Sequence, residues 1–155
     1  MKKSLILLLT WLLSTPLYAT EALAILWQNL APGASHLPAE TNVNHELDGK
    51  TVIIPGFVVP LDGLDVSQSK NFLLTPQQGA CFHKPPAPAN QLIHVVFDEP
   101  IAIPNPEQPI YIAGTLTIKP AQSGFAKTGY ALKGIEAINY PTTAAHTNEP
   151  HAHQH

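Results

Sequence analysis

The sequence predicts an all-β protein: a small five-stranded OB-like barrel with a short N-terminal helix and a disordered His-rich tail. Three observations predict it. From Ile110 to Ile118 the chain alternates strictly, with Ile110, Ile112, Gly114, Leu116 and Ile118 set against Tyr111, Ala113, Thr115 and Thr117. A period of two is the signature of a half-buried strand. Four other apolar runs are cut off by Pro or Gly at strand-like lengths, and only one stretch of the mature chain has helical spacing. A lone five-stranded sheet would leave two edges open, and closure into a barrel removes them. An open sandwich is the second choice.

The elements follow in chain order. Lys2 and Lys3 precede the apolar run Leu5–Leu13, Pro16 breaks it, and Ala19 offers a small residue at a cut site. That is a secretory signal peptide pattern, and the run is too short to span a bilayer. Residues 1–19 are therefore an address, and export to the periplasm is expected. Leu23, Leu26, Trp27 and Leu30 fall at i, i+3, i+4 and i+7, which predicts a helix over Thr20–Leu30 stopped by Pro32-Gly33. Residues 34–46 read as a polar loop. Lys50–Leu61 is a β-branched run interrupted by Pro55-Gly56, so a bulged or bent first strand is expected. Phe72–Thr75, Leu92–Phe97, Ile110–Ile118 and Tyr130–Tyr140 complete the five, with a bulge expected at Gly134. The folded domain spans 20–140 and the tail 141–155.

Composition excludes several classes of function. The chain has eight Lys, no Arg and a net charge of −3, which lacks the basic footprint that nucleic-acid binding requires. One Cys excludes an intramolecular disulfide and a zinc ribbon. No segment after the signal peptide is apolar over a membrane-spanning length. Sixteen prolines, about twice the usual share, stiffen the loops.

The chemistry concentrates in Gly79–Gln91 (GACFHKPPAPANQ). In an extended segment residues i and i+2 point the same way, so Cys81 and His83 can aim at one point. Thiolate and imidazole suit zinc, with copper or nickel as alternatives. Two ligands make a weak site, and His94 is the best third candidate, with His45 or a tail histidine behind it. Other readings of Cys81 stay open: a buried inert thiol, an intermolecular disulfide, or a Cys–His nucleophile. The tail places His146, His151, His153 and His155 in its last ten positions, a pattern for weak, exchangeable metal capture. No enzyme is expected: no Asp or oxyanion loop orients a Cys–His dyad, and Asp62 and Asp65 read as turn residues.

PGFVVPLD (Pro55–Asp62), FLLTP (Phe72–Pro76), the Gly79–Gln91 loop and the W-x-x-L of Trp27–Leu30 together resemble an uncharacterised family of small exported bacterial proteins that carry a domain of unknown function. Gly79, Cys81, His83, Pro85, Pro86, Asn90 and Gln91 match its loop motif, while Ala87 and Ala89 depart from its proline run. The resemblance implies an OB-like fold, a periplasmic or membrane-attached location, and company with ABC-type transport systems, some linked to zinc supply. Cys81 and His83 would be its functional pair. Asn90 and Gln91 are expected to satisfy loop backbone groups. The leading expectation is a periplasmic metal-binding accessory protein, holding zinc and assisting a metal uptake system through a membrane transporter or a periplasmic metal-binding partner. The alternative is an adaptor docking on a transporter or envelope protein without metal.

Overall fold

In a computed structural model the described residues are 21–63, 65–79 and 84–141. The strands are β1 (Leu23–Ala24), β2 (Thr51–Pro60), β3 (Gln68–Thr75), β4 (Ile93–Ala102), β5 (Ile110–Ser123) and β6 (Ala126–Asn139). They form one mixed six-stranded sheet in the order β1-β2-β3-β4-β6-β5, and β2 also pairs with β5. The five long strands therefore make a closed circuit of hydrogen-bonded neighbours. All pairs in that circuit are antiparallel except β4 with β6. The all-β expectation holds, with a sixth, two-residue strand added. Among the described residues no helix is long and apolar enough to cross a membrane. The expected signal peptide (1–19) and the expected disordered tail beyond Pro141 lie outside the described residues.

The circuit closes at Pro55-Gly56. Thr51–Gly56 pairs with β5 and Phe57–Pro60 pairs with β3, so β2 changes partner at that dipeptide. The register with β5 is unbroken from Thr51 to Gly56, so the strand expected to be bulged or bent has no bulge there and passes from one partner to the other. A Cβ on Gly56 would stand 2.7 Å from Leu74 and 3.0 Å from the Trp27 ring, which explains glycine there. β1 lies parallel to β2 at Val52 and Ile53, along the stretch that β3 leaves uncovered.

The N-terminal helix is a correction. Only Trp27–Leu30 is helical, as a single 3-10 turn, and Leu23–Ala24 is strand. An isolated helix of that length is marginal in water, and the open edge of β2 offers the backbone a better partner. Ile25 donates to Ile53 O at 3.0 Å and is buried, while Leu23 and Leu26 of the supposed apolar stripe are exposed. Trp27 Nε1 donates to Pro55 O at 2.6 Å. The Tyr130 hydroxyl then fastens the segment: it donates to Leu30 O at 2.5 Å and accepts from Asn44 N at 2.7 Å. Burial raises the Tyr130 pKa, and the Asn44 N–H opposes that rise.

The main core fills the circuit with alternate residues of β2 to β6, including Val52, Ile54, Phe72, Leu74, Ile93, Val95, Ile112, Leu116, Tyr130 and Leu132. The isoleucine face of β5 points inward as predicted, with Ile110, Ile112 and Leu116 buried. The slip expected at Gly134 is present. Ala113 faces Glu136 and Gly114 faces Gly134, leaving Ile135 unopposed. The Phe97 ring occupies the space a Gly134 side chain would need. A second slip follows Ile118. Ala121 faces Thr128, so Lys119 and Pro120 together oppose Gly129. The extra residue bends the β5–β6 hairpin, as bulges do.

Candidate functional site

Cross-strand pairs share a face of the sheet. Leu74, Ile93 and Tyr130 lie in the core, so their sequence neighbours Leu73, His94 and Ala131, paired in the next row, face outward. On this outer face a small second cluster of Val59, Leu73, Leu92 and Ala126 is buried, with Leu61 and Ala87 packed against it. Ala126 comes from the tip of the bent hairpin, and Ala87 from the return leg of the segment joining β3 to β4. Two excursions of the chain thus close over the sheet beside His94.

His94 is half-buried and both ring nitrogens are engaged. Nε2 lies 2.5 Å from Asn71 Oδ1, and Nδ1 lies 3.2 Å from Ser123 Oγ. A carbonyl oxygen only accepts, so the ring proton sits on Nε2 and Nδ1 accepts from the Ser123 hydroxyl. Ser123 Oγ stands 3.3 Å from Thr128 Oγ1, which donates to Ala121 O at 3.4 Å. On the other side, Asn71 N donates to Ser69 Oγ at 3.1 Å, and Ser69 Oγ donates to Asp62 Oδ2 at 3.0 Å. A polar chain therefore runs from the β2–β3 loop across β3 and β4 to the hairpin tip. Asp62 is the turn residue expected from sequence. Burial, and then the positive charge of Lys119, push the His94 pKa below its usual 6.5.

The arrangement holds a neutral imidazole and latches the hairpin. It has the order of a hydroxyl, base and orienting amide, with Ser123 buried at 5% exposure. Nδ1 is the one lone pair available to a metal, and using it means releasing Ser123. His94 is the one histidine of the predicted metal set that lies among the described residues. Cys81, His83, His146, His151, His153 and His155 lie outside them. His45 sits exposed in the 3-10 turn His45–Leu47. Among the described residues no three His, Cys, Asp or Glu side chains gather as a metal site.

The flanks of the Cys81/His83 segment are anchored. The Asn90 side chain, 5% exposed, donates to Asn42 O at 2.9 Å, and Gln91 Nε2 donates to Trp27 O at 3.1 Å. Both amides satisfy backbone carbonyls, but those of Asn42 and Trp27 belong to the distant N-terminal segment rather than to the loop; only Asn90 O, which Gln91 Nε2 also reaches at 2.9 Å, is local. Sequence reasoning missed Asn71, Ser69, Ser123 and Thr128. Ser69 and Asn71 at i and i+2 ahead of an apolar strand were the available signal. The hairpin fold-back that brings Ser123 to His94 had none.

A closed circuit of five strands, overlaid on one outer face by a polar latch and an anchored loop, defines a small all-β domain with its distinguishing residues outside the core. The chain belongs to the family described as "Protein of unknown function (DUF3299)", matched over residues 19–139. It is similar to a crystal structure of a DUF3299 family protein from Pseudomonas aeruginosa PAO1, at 26% identity and a TM-score of 0.67, covering 80% of this chain and 99% of that one. An OBody bound to hen egg-white lysozyme matches at 16% identity and a TM-score of 0.36, over 61% of this chain and 84% of that one. No curated protein matches the chain.

Proposed function

We propose that the chain is an exported zinc-binding accessory protein built on an OB-like barrel, with Cys81 and His83 as the barrel-borne donor pair. The β2-β3-β4-β6-β5 circuit, with its single parallel pair, supports the OB-like reading. The observation that carries the metal reading is the anchoring of the segment that bears both donors. It leaves β3 at Thr75 and re-enters through Asn90 and Gln91, whose amides are tied to Asn42 and Trp27. Fixed ends lower the entropy lost when a loop closes on an ion. A C-x-H pair held so needs one or two further donors. The tail histidines His146, His151, His153 and His155 supply them as neutral imidazoles, or His94 does after giving up Ser123. Periplasmic location follows from the signal peptide pattern, and service to a metal uptake or ABC-type transport system is what the family resemblance implies. No catalytic step is assigned.

A second reading is favoured by one observation. With both nitrogens of His94 bonded, the outer face is complete without a metal, as an adaptor would have it. Elemental analysis of mature, tag-free protein, beside a form ending at Tyr140 and a Cys81→Ala/His83→Ala variant, decides between them. Stoichiometric zinc in the full-length chain and its loss from the double variant is the expected result; zinc kept by the form ending at Tyr140 makes His94 the further donor, and zinc lost from it makes the tail the further donor. Zinc absent from all three leaves the adaptor.

A further inference from the structure

β4 and β6 are hydrogen-bonded only over Ile93–Val96 and Tyr130–Lys133. Beyond that point they part, while β6 continues to Asn139 with β5 on its far side. The gap is a groove of ≈ 910 Å³ with Phe97, Ile101 and Ile110 along it. Its two walls differ. The β4 wall is blunted by Pro100, which has no N–H to offer. The β6 wall has no proline from Gly134 to Asn139, and among the described residues its facing edge lacks a strand partner. It exposes Ile135 (64%), at a place where a protected edge would carry a charge or proline. Three carboxylates, Asp98, Glu99 and Glu136, line the groove against one cation, Lys133, which already stands 3.8 Å from Asp98.

We infer that the β6 edge over Gly134–Asn139 is a strand-addition site, and that its occupant is an extended segment of a partner protein in which apolar residues alternate with Lys or Arg. Main-chain hydrogen bonds to β6 supply the affinity. Every second side chain of the added strand turns toward the apolar groove, and the intervening cations meet Glu99 and Glu136. The surface is separate from the His94 face and does not depend on metal.

The test uses the full mature chain and a capped eight-residue peptide alternating Lys with Val, with a Glu/Val peptide as its counterpart. Amide hydrogen exchange reads the site. The expected result is slowed exchange within Gly134–Asn139 on adding the Lys/Val peptide, with Tyr130–Lys133 unchanged. Glu99→Lys/Glu136→Lys, at two exposed positions, should weaken binding roughly tenfold, and the Glu/Val peptide should not bind. Binding without protection of these amides overturns the inference, as does binding indifferent to the charge reversal, or none at millimolar peptide. Protection that rises with protein concentration before peptide is added makes a second copy the occupant and overturns the basic-peptide assignment.

Discussion

The two halves of the β4–β6 pair begin alike and end differently. In the first, Ile93–Val96 and Tyr130–Lys133 run parallel and hydrogen-bonded, with Ile93, Val95, Tyr130 and Leu132 buried beneath. In the second, the strands separate and Ile135 and Ile138 come to the surface. The change happens at Phe97. Its ring is 7% exposed, stacks on Phe72 at 6.2 Å, and takes the place that any side chain at position 134 would occupy. The backbone hydrogen bonds of the first half are exchanged for the burial of one aromatic wedge. Parallel pairs are common where both faces are covered. Here the inner face is core and the outer face carries the His94 latch, and beyond Val96 the latch is absent.

The largest effect should come from the joined half. Leu132 is 1% exposed and packs in the main core, so Leu132→Ala removes buried methyl groups and leaves a cavity. A loss of about 2–5 kcal/mol in unfolding free energy is expected from urea titration. Ile138→Ala on the parted half should cost far less, since its side chain is 39% exposed. Equal losses at the two positions would mean that the halves do not differ in packing as described. The parting itself is tested at Gly134. Gly134→Ala places a methyl group against the Phe97 ring and should cost about 1–3 kcal/mol by overpacking. Combining it with Phe97→Leu should recover part of that loss if the wedge is the cause. An additive double variant would place the cause elsewhere.

What the sequence disclosed follows the same division. The strict alternation of β5 and the slip at Gly134 were legible because each inward position answers to one core. Pro55-Gly56 marked a special place in β2, but composition does not say whether a strand bulges or changes partner. The helix over Thr20–Leu30 was misread because periodicity counts Leu23 and Leu26 as buried, while the free edge of β2 captures Ile25 instead. At the outer face the sequence marks His94 as a ligand candidate. The structure bonds both its nitrogens, through residues 23 and 29 positions away in sequence. Separations of that size lie beyond any local pattern, and the bend at Lys119-Pro120 that brings Ser123 across is set by a register slip. Asn90 and Gln91 were readable because a buried amide must find carbonyls, though not which ones.

The smallest expected effect belongs to His94, on the outer side of the joined half. Burial and Lys119 lower its folded pKa below the unfolded value of 6.5. Above 6.5 the ring is neutral in both states and its contribution is fully present. As pH falls below 6.5 the unfolded chain takes up the proton first, so the folded state loses stability until the folded pKa is passed. Protonation also ends the acceptance of the Ser123 hydroxyl by Nδ1, so the hairpin tip should loosen in the same window. The urea midpoint should therefore drop between pH 7 and pH 5 more steeply in the wild-type chain than in His94→Gln, which cannot titrate there. Amide protection at Ser123–Thr128, measured relative to the intrinsic exchange rate at each pH, should fall over that range in the wild type alone, with the parted edge unaffected. Identical slopes for the two proteins would show that the imidazole carries no differential proton affinity, and the latch would then be a matter of shape.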